Sequence, residues 1–237
     1  MSADSTNAPA LVRLDVVPGV AARNGGARVS SSKLLVVGIG GTTRAGSGTE
    51  RALGVALRAC GELGAATISL GGEFLAALPH YSPGARLTDV QQGLVDVVAR
   101  ADAVILATPS YHGGISGLLK NALDTLEELR DDARPYLDGR AVGCIVTAYG
   151  WQTGGVVLGG LRATAHALRG WPTPYGAVVN TLETPFSGGP PPPAVAEGLE
   201  RVGRQAVQFA AAFADARGGV GHDVAHAPQG LPRAVGG

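Results

Sequence analysis

The feature that most restricts the fold of this chain is an alternation. Apolar runs at 33–39, 65–70, 103–107, 141–147 and 174–179 are separated by segments with helical spacing. The run Leu34-Leu35-Val36-Val37 is continuous rather than every second residue, which suits a strand covered on both faces, as in a parallel sheet. Crossovers between parallel neighbours are right-handed, so the repeated pattern predicts a parallel sheet with helices on both faces. The expected class is α/β, a doubly wound five-stranded parallel sheet in the order 2-1-3-4-5. Helices are expected at 47–63, from Thr88 onward, at 116–130, up to 168 and at 194–216, with one helical turn at 73–78. Leu53, Leu57 and Cys60 share one face of the first helix. Val90, Leu94, Val97 and Val98 form the stripe of the second, with Thr88 as its N-cap.

One folded unit is expected at 33–217, a length that supports a substantial core. Residues 1–32 are small and polar and are interrupted by Pro9 and Pro18, so a flexible extension is expected, with a short edge strand over 11–17. Residues 218–237 are rich in glycine, proline and histidine and read as a mobile tail. The 19 basic and 19 acidic residues cancel. No global basic field exists to recruit nucleic acid or an anionic membrane. No secretory leader is apparent, and no apolar run reaches the about 18 residues of a membrane span, so the cytoplasm is the expected compartment. Cys60 and Cys144 have neither redox-motif nor metal-ligand spacing and read as buried, inert thiols. His80, His222 and His226 show no ligand spacing, and His166 falls in a helical stripe as a structural residue, so no metal is expected. Asp124 and Glu127 read as a solvated or interfacial helix face.

Ligands of such sheets bind beyond the carboxyl ends of the strands, where the strand order reverses. The loops after the first, third and fourth strands converge there. The first, Gly40-Gly41-Thr42-Thr43-Arg44-Ala45-Gly46-Ser47-Gly48-Thr49, opens a helix, whose first N–H groups and dipole suit an anion. It lacks the lysine of a Walker A loop, and Thr43 stands where a dinucleotide fingerprint has its third glycine. A monophosphate held by Thr42, Arg44, Ser47 and Thr49 is expected, with Gly40, Gly41 and Gly46 clearing the backbone. The second loop, from Thr108 to Gly114, supplies Tyr111 and His112. The third supplies Tyr149 and Trp151 beside Gly150, Gly154 and Gly155. A phosphate at one end and a flat ring at the other describe flavin mononucleotide (FMN), with an adenine nucleotide as the nearest competitor.

Two stretches carry a family resemblance. Gly41-Thr42-Thr43-Arg44-Ala45-Gly46-Ser47 and Thr108-Pro109-Ser110-Tyr111-His112-Gly113-Gly114-Ile115-Ser116-Gly117-Leu118-Leu119-Lys120-Asn121-Ala122-Leu123-Asp124 resemble the NAD(P)H-dependent FMN reductases with a flavodoxin-like fold. The usual second motif, Pro-x-Tyr-Asn-Gly-x-x-x-Gly-x-Leu-Lys-Asn-Ala-Leu-Asp, has Asn where this chain has His112. The resemblance implies that Thr42, Arg44, Ser47 and Thr49 hold the FMN phosphate. Pro109, Ser110, Tyr111, His112 and Gly113 would border the ring, and Ala148, Tyr149 and Gly150 would lie at its far edge. It also implies a homodimer or homotetramer, and in one branch a partner monooxygenase. The aliphatic Ile115, where that branch has an aromatic, is more similar to the members that reduce quinones, azo compounds and chromate.

The activity so implied is an FMN-dependent oxidoreductase. It takes hydride from NAD(P)H and passes electrons to free flavin, a quinone, an azo compound or a metal oxyanion. The cofactor does the chemistry, so no catalytic triad is expected. His112 reads either as a flavin contact and proton donor or as a solvent-facing loop residue. Arg162 and Arg169 read as contacts to an NADPH phosphate or as surface charge. The alternatives are a flavodoxin-like electron-transfer or redox-sensing protein without NAD(P)H turnover, and a scaffold that has lost its flavin.

Overall fold

The computed structural model describes residues 15–16, 33–184 and 189–219. The expectations of a flexible extension at 1–32 and a mobile tail at 218–237 fall largely outside these residues. Among the described residues seven strands form one sheet: β1 (Asp15–Val16), β2 (Leu35–Gly40), β3 (Ala66–Leu70), β4 (Ala103–Pro109), β5 (Ala141–Ala148), β6 (Trp171–Pro172) and β7 (Ala177–Asn180). The helices are α1 (Gly48–Glu62), α2 (Gly72–Ala77), α3 (Asp89–Arg100), α4 (Gly117–Thr125), α5 (Trp151–Ala167) and α6 (Pro193–Gly219). The sheet runs β1-β3-β2-β4-β5, with β6 and β7 both paired to the outer edge of β5. β1 is antiparallel to β3, within the stretch expected to add an edge strand, and the remaining pairs are parallel. From β2 onward this is the expected 2-1-3-4-5 order.

Alternate residues of the continuous apolar runs serve two cores. Val37, Ile39, Val104, Leu106, Val142, Cys144 and Val146 pack with residues of α2, α3, α4 and α5. Val36, Ala103, Ile105, Ala107, Ala141 and Ile145 pack with α1 and α6. Small residues let those two helices come close. A Cβ on Gly203 of α6 would lie 2.3 Å from the Ala56 carbonyl oxygen of α1, and one on Gly143 would lie 2.7 Å from Val202 Cγ1.

Caps define the helix starts. Ser47 accepts from Glu50 N–H at the start of α1. Thr88 and Gln91 form a reciprocal capping box on α3. Ser116 accepts from Leu119 N–H on α4.

Three elements differ from expectation. The fifth strand, expected over 174–179, starts only at Ala177 as β7, beyond Pro174, which has no N–H for the ladder, and the short β6 precedes it outside the expected run. The helix expected to reach residue 130 ends as α-helix at Thr125 and tightens into a 3-10 turn over Leu126–Leu129. The third glycine-rich loop is shorter than its composition suggests, since α5 starts at Trp151 and absorbs Gly154 and Gly155. Gly154 is needed within that helix: a Cβ there would lie 2.3 Å from Val178 Cγ1 of β7.

A feature invisible in the sequence closes the opposite end of the sheet. Arg140, just before β5, is fully buried. Its guanidinium donates to the carbonyls of Ala99, Ala101, Arg134, Tyr136 and Asp138. Burial and the nearby Arg134 push its pKa down to about 10, so it stays charged at neutral pH.

Candidate functional site

β2, β4 and β5 end side by side, with Gly40 paired to Ala107 and Pro109 to Thr147. The loops that follow them enclose one cavity of about 850 Å³, within the range of roughly 300–1,000 Å³ typical of small-molecule sites. It lies at the carboxyl edge, where β3 and β4 flank β2 and the strand order reverses. Thr42, Arg44, Ser47, Thr49, Pro109, Ser110, Tyr111, His112, Ala148 and Tyr149 all line it. Gly113 and Gly150 are not among the lining residues. Thr43 and Gly46 of the first loop also line it, as do Gly48, Arg51, Thr147 and Thr181, which were not singled out from the sequence.

The first loop is held in shape by its own side chains. Thr42 Oγ1 accepts from Arg44 N–H at 3.2 Å and donates to Arg44 O at 3.3 Å, closing a tight turn. Its glycines leave the room expected of them, though at two of the three for neighbouring backbone. A Cβ on Gly40 would meet Ala107 O at 2.2 Å, and one on Gly41 would meet Gly72 N at 2.6 Å. Those two positions serve strand and α2 packing. Gly46 has a left-handed backbone, φ +64°, and an added Cβ there would meet only Arg51 Nη2, at 3.8 Å; Gly41 also has a positive φ, +145°.

Glu50, which sequence reasoning missed, braces this loop. One carboxylate oxygen accepts from Gly46 N–H and the other from Gly72 N–H, both at 2.8 Å. Arg51 Nε donates to Gly46 O at 3.0 Å from the other side. The only legible signal was Glu50's place three residues after the capping Ser47. With Glu50 N–H capped, the first-turn N–H groups of Gly48 and Thr49 have no acceptor within the helix and border the cavity.

The floor is polar. Thr49 Oγ1 and Thr147 Oγ1 share a buried hydrogen bond of 2.7 Å that ties α1 to β5. Ser110 N–H donates to Thr147 O at 2.8 Å, whereas Ser110 Oγ is buried with no hydrogen-bond partner among the described residues.

The second loop is a two-residue hairpin. Tyr111 and Gly114 exchange both backbone hydrogen bonds, and His112 and Gly113 between them have φ of +51° and +80°. Two successive positive φ values make a type I′ turn, whose favoured pair is Asn-Gly. The usual Asn of the motif is thus explained by backbone geometry, and His112 occupies a position that His also tolerates. Ile115 turns away from the cavity and packs on the core. Asn121 is structural: it accepts from Tyr81 N–H and donates to Pro79 O.

At the far side, Thr181 N–H and Oγ1 both donate to Ala148 O. Tyr149 is exposed, and Trp151 is turned to Glu183, to which its Nε1–H donates at 2.9 Å. Trp151 does not line the cavity. Arg162 donates to Thr173 O, and Arg169 lies over the Tyr136 ring; neither lines the cavity. His166 is exposed on α5 rather than packed in a stripe. Asp124 pairs with Lys120 and Glu127 with Arg130, outside the cavity.

The family model for NADPH-dependent FMN reductases matches residues 34–183, which span all three loops. The chain belongs to the NADPH-dependent FMN reductase family. An FMN-dependent NADPH-azoreductase of Staphylococcus aureus is 35% identical over 95 residues, 37% of this chain. The chain spans 45% of the length of that relative. In fold, the chain is similar to an oxidoreductase from Corynebacterium diphtheriae at 20% identity and a TM-score of 0.58, over 78% of this chain and 99% of the other. It is similar to an apo NADH:FMN oxidoreductase at 20% identity and a TM-score of 0.56, over 76% and 90%. A WrbA-like flavodoxin from Agrobacterium tumefaciens has 17% identity and a TM-score of 0.54, over 77% and 99%.

FMN fits the donor chemistry of this family member. Two free first-turn amides and the guanidiniums of Arg44 and Arg51 gather at one end, as an anionic phosphate requires. The unpartnered Ser110 hydroxyl awaits a polar group from a ligand. Tyr111 and Tyr149 also line the cavity and supply aromatic rings.

Proposed function

We propose that this chain is an FMN-dependent oxidoreductase that takes hydride from NADPH and reduces a small acceptor. The observation that carries this reading is the meeting of unpaired helix amides, two arginines and an orphaned buried hydroxyl in one cavity. Bound FMN supplies the two-electron exchange between donor and acceptor. The chain's residues hold and orient it. Ser47, Thr49, Arg44 and the first-turn amides of α1 take the phosphate, while Thr42 shapes the turn that presents Arg44. Pro109, Ser110, Tyr111 and His112 border the ring, with Gly113 shaping the hairpin that carries them. Ala148 and Tyr149 close the far edge, and Gly150 starts the helix behind them.

A quinone or an azo compound is the favoured acceptor, because the cavity is open and carries exposed Tyr111 and Tyr149 at its border. Free flavin and a metal oxyanion are the other acceptors to be tried. A homodimer or homotetramer is part of the proposal, supported by exposed Trp151, Val156 and Leu182 near the same edge. A partner monooxygenase is the proposal's less favoured consumer of reduced flavin. The cytoplasm is the proposed compartment, which the two free thiols suit. Among the described residues, no helix is long and apolar enough to cross a membrane.

The test is reconstitution. Apoprotein titrated with FMN should quench flavin fluorescence, and the loaded protein should consume NADPH when given a quinone or azo dye. FMN uptake without NADPH consumption by any acceptor favours an electron carrier, and absence of uptake favours a scaffold without cofactor. Light scattering reads the oligomeric state.

A further inference from the structure

The cavity lining has an unusual charge composition for a site that must handle protons. Among the described residues no carboxylate lines it. Its ionisable groups are Arg44 and Arg51 from the first loop and the start of α1, Tyr111 and His112 from the hairpin, and Tyr149 beyond β5. Of these side chains, imidazole is the type most used to hand a proton to a reacting group. His112 is exposed at the tip of the type I′ hairpin, a backbone that Asn or Gly adopts at less cost. The hairpin is fixed at its base. Thr108 Oγ1 accepts from Ser116 N–H at 2.9 Å, and Tyr111 and Gly114 close the turn.

We propose that His112 is the proton donor to the electron acceptor. This rests on the reading of the cavity as an FMN-dependent reductase site. A quinone reduced to its hydroquinone gains two electrons and two protons. Hydride brings both electrons and one proton, and the second proton must reach the quinone oxygen from another source. The His112 imidazolium supplies it through Nε2, the ring nitrogen farther from the backbone. The N–H bond breaks as the O–H bond forms, and the neutral ring recovers its proton from water. An azo bond reduced to a hydrazo group has the same requirement, at nitrogen. A one-electron acceptor such as ferricyanide has none.

The experiment compares the FMN-loaded chain with His112→Asn, which keeps the left-handed turn. For each, the ratio of quinone to ferricyanide reduction rate is measured from pH 5 to 9 on the same preparation. The His112 imidazole is also titrated by NMR in the oxidised, loaded protein. The wild-type ratio should fall above the NMR midpoint, and the variant ratio at pH 6 should be about tenfold or more lower and flat with pH, as loss of a general acid predicts. An identical ratio and profile in the variant overturns the proposal, as does a kinetic midpoint that does not follow the NMR midpoint. Failure of the wild type to take up FMN removes the cavity reading itself. FMN uptake with an unchanged ratio removes only the role of His112.

Discussion

Ser110 shows how a single side chain can carry opposite signs in stability and binding. Its buried Oγ has no partner, and an unsatisfied buried hydroxyl costs about 1–3 kcal/mol. Ser110→Ala is expected to leave the apoprotein equally or more stable in urea denaturation, while weakening FMN binding by about 0.5–1.5 kcal/mol. A loss of apoprotein stability would mean that the hydroxyl already has a partner. Arg44 is exposed and its guanidinium makes no hydrogen bond among the described residues, so Arg44→Ala should spare stability. It should weaken FMN binding by about 1.5–3 kcal/mol, the range for a hydrogen bond to a charged group. Unchanged affinity in a fluorescence titration would remove Arg44 from the phosphate site. His112 and Asn121 mark how far the motif could be read. Both stand in one recognisable stretch, yet one borders the cavity and the other clamps the chain at Pro79.

At the level of elements, α1 contains a helical glycine and packs against another in α6, and the two differ in what surrounds them. Gly203 lies on the α1–α6 contact, where an added Cβ would meet the Ala56 carbonyl at 2.3 Å, and Cys60 Sγ donates to its carbonyl. Gly54 faces solvent, with nothing within 4 Å of an added Cβ. Gly203→Ala should cost about 1–3 kcal/mol through overpacking. Gly54→Ala should stabilise by up to about 1 kcal/mol, since alanine is the better helix former. Thermal melts of the two variants should therefore shift in opposite directions. Helix propensity also explains the misplaced start of α5. Its glycines argue against a helix locally, but packing against β7 demands one of them and overrides the local preference.

For the whole molecule, the cores on both faces of the sheet hold a thiol each. Cys60 and Cys144 are buried and free, and burial pushes both up to about 12. An unfolded cysteine ionises near about 8.5. Between these values the unfolded chain has lost protons that the native chain keeps, so stability must fall as pH rises from about 9 towards 12. The stability present below that window is expected to decline in alkaline urea titrations, and less steeply in a variant with both cysteines replaced by alanine. Native protein at pH 8 should also resist thiol reagents until it is unfolded. At the far end of the sheet, Arg140→Met should destabilise by more than about 3 kcal/mol, because several buried carbonyls lose their donor together. The alternation of apolar runs and helical stripes was enough to set a parallel sheet covered on both faces, because that follows from burial and the handedness of crossovers; the 2-1-3-4-5 order, which those rules permit without fixing, is what brings the three loops together. The division of labour inside the site was not legible. Glu50 and Gly72 are 22 residues apart, and Thr49 and Thr147 are 98 apart. Which N–H groups remain free for an anion, and which hydroxyl lacks a partner, depends on contacts that exist only once the strands are side by side.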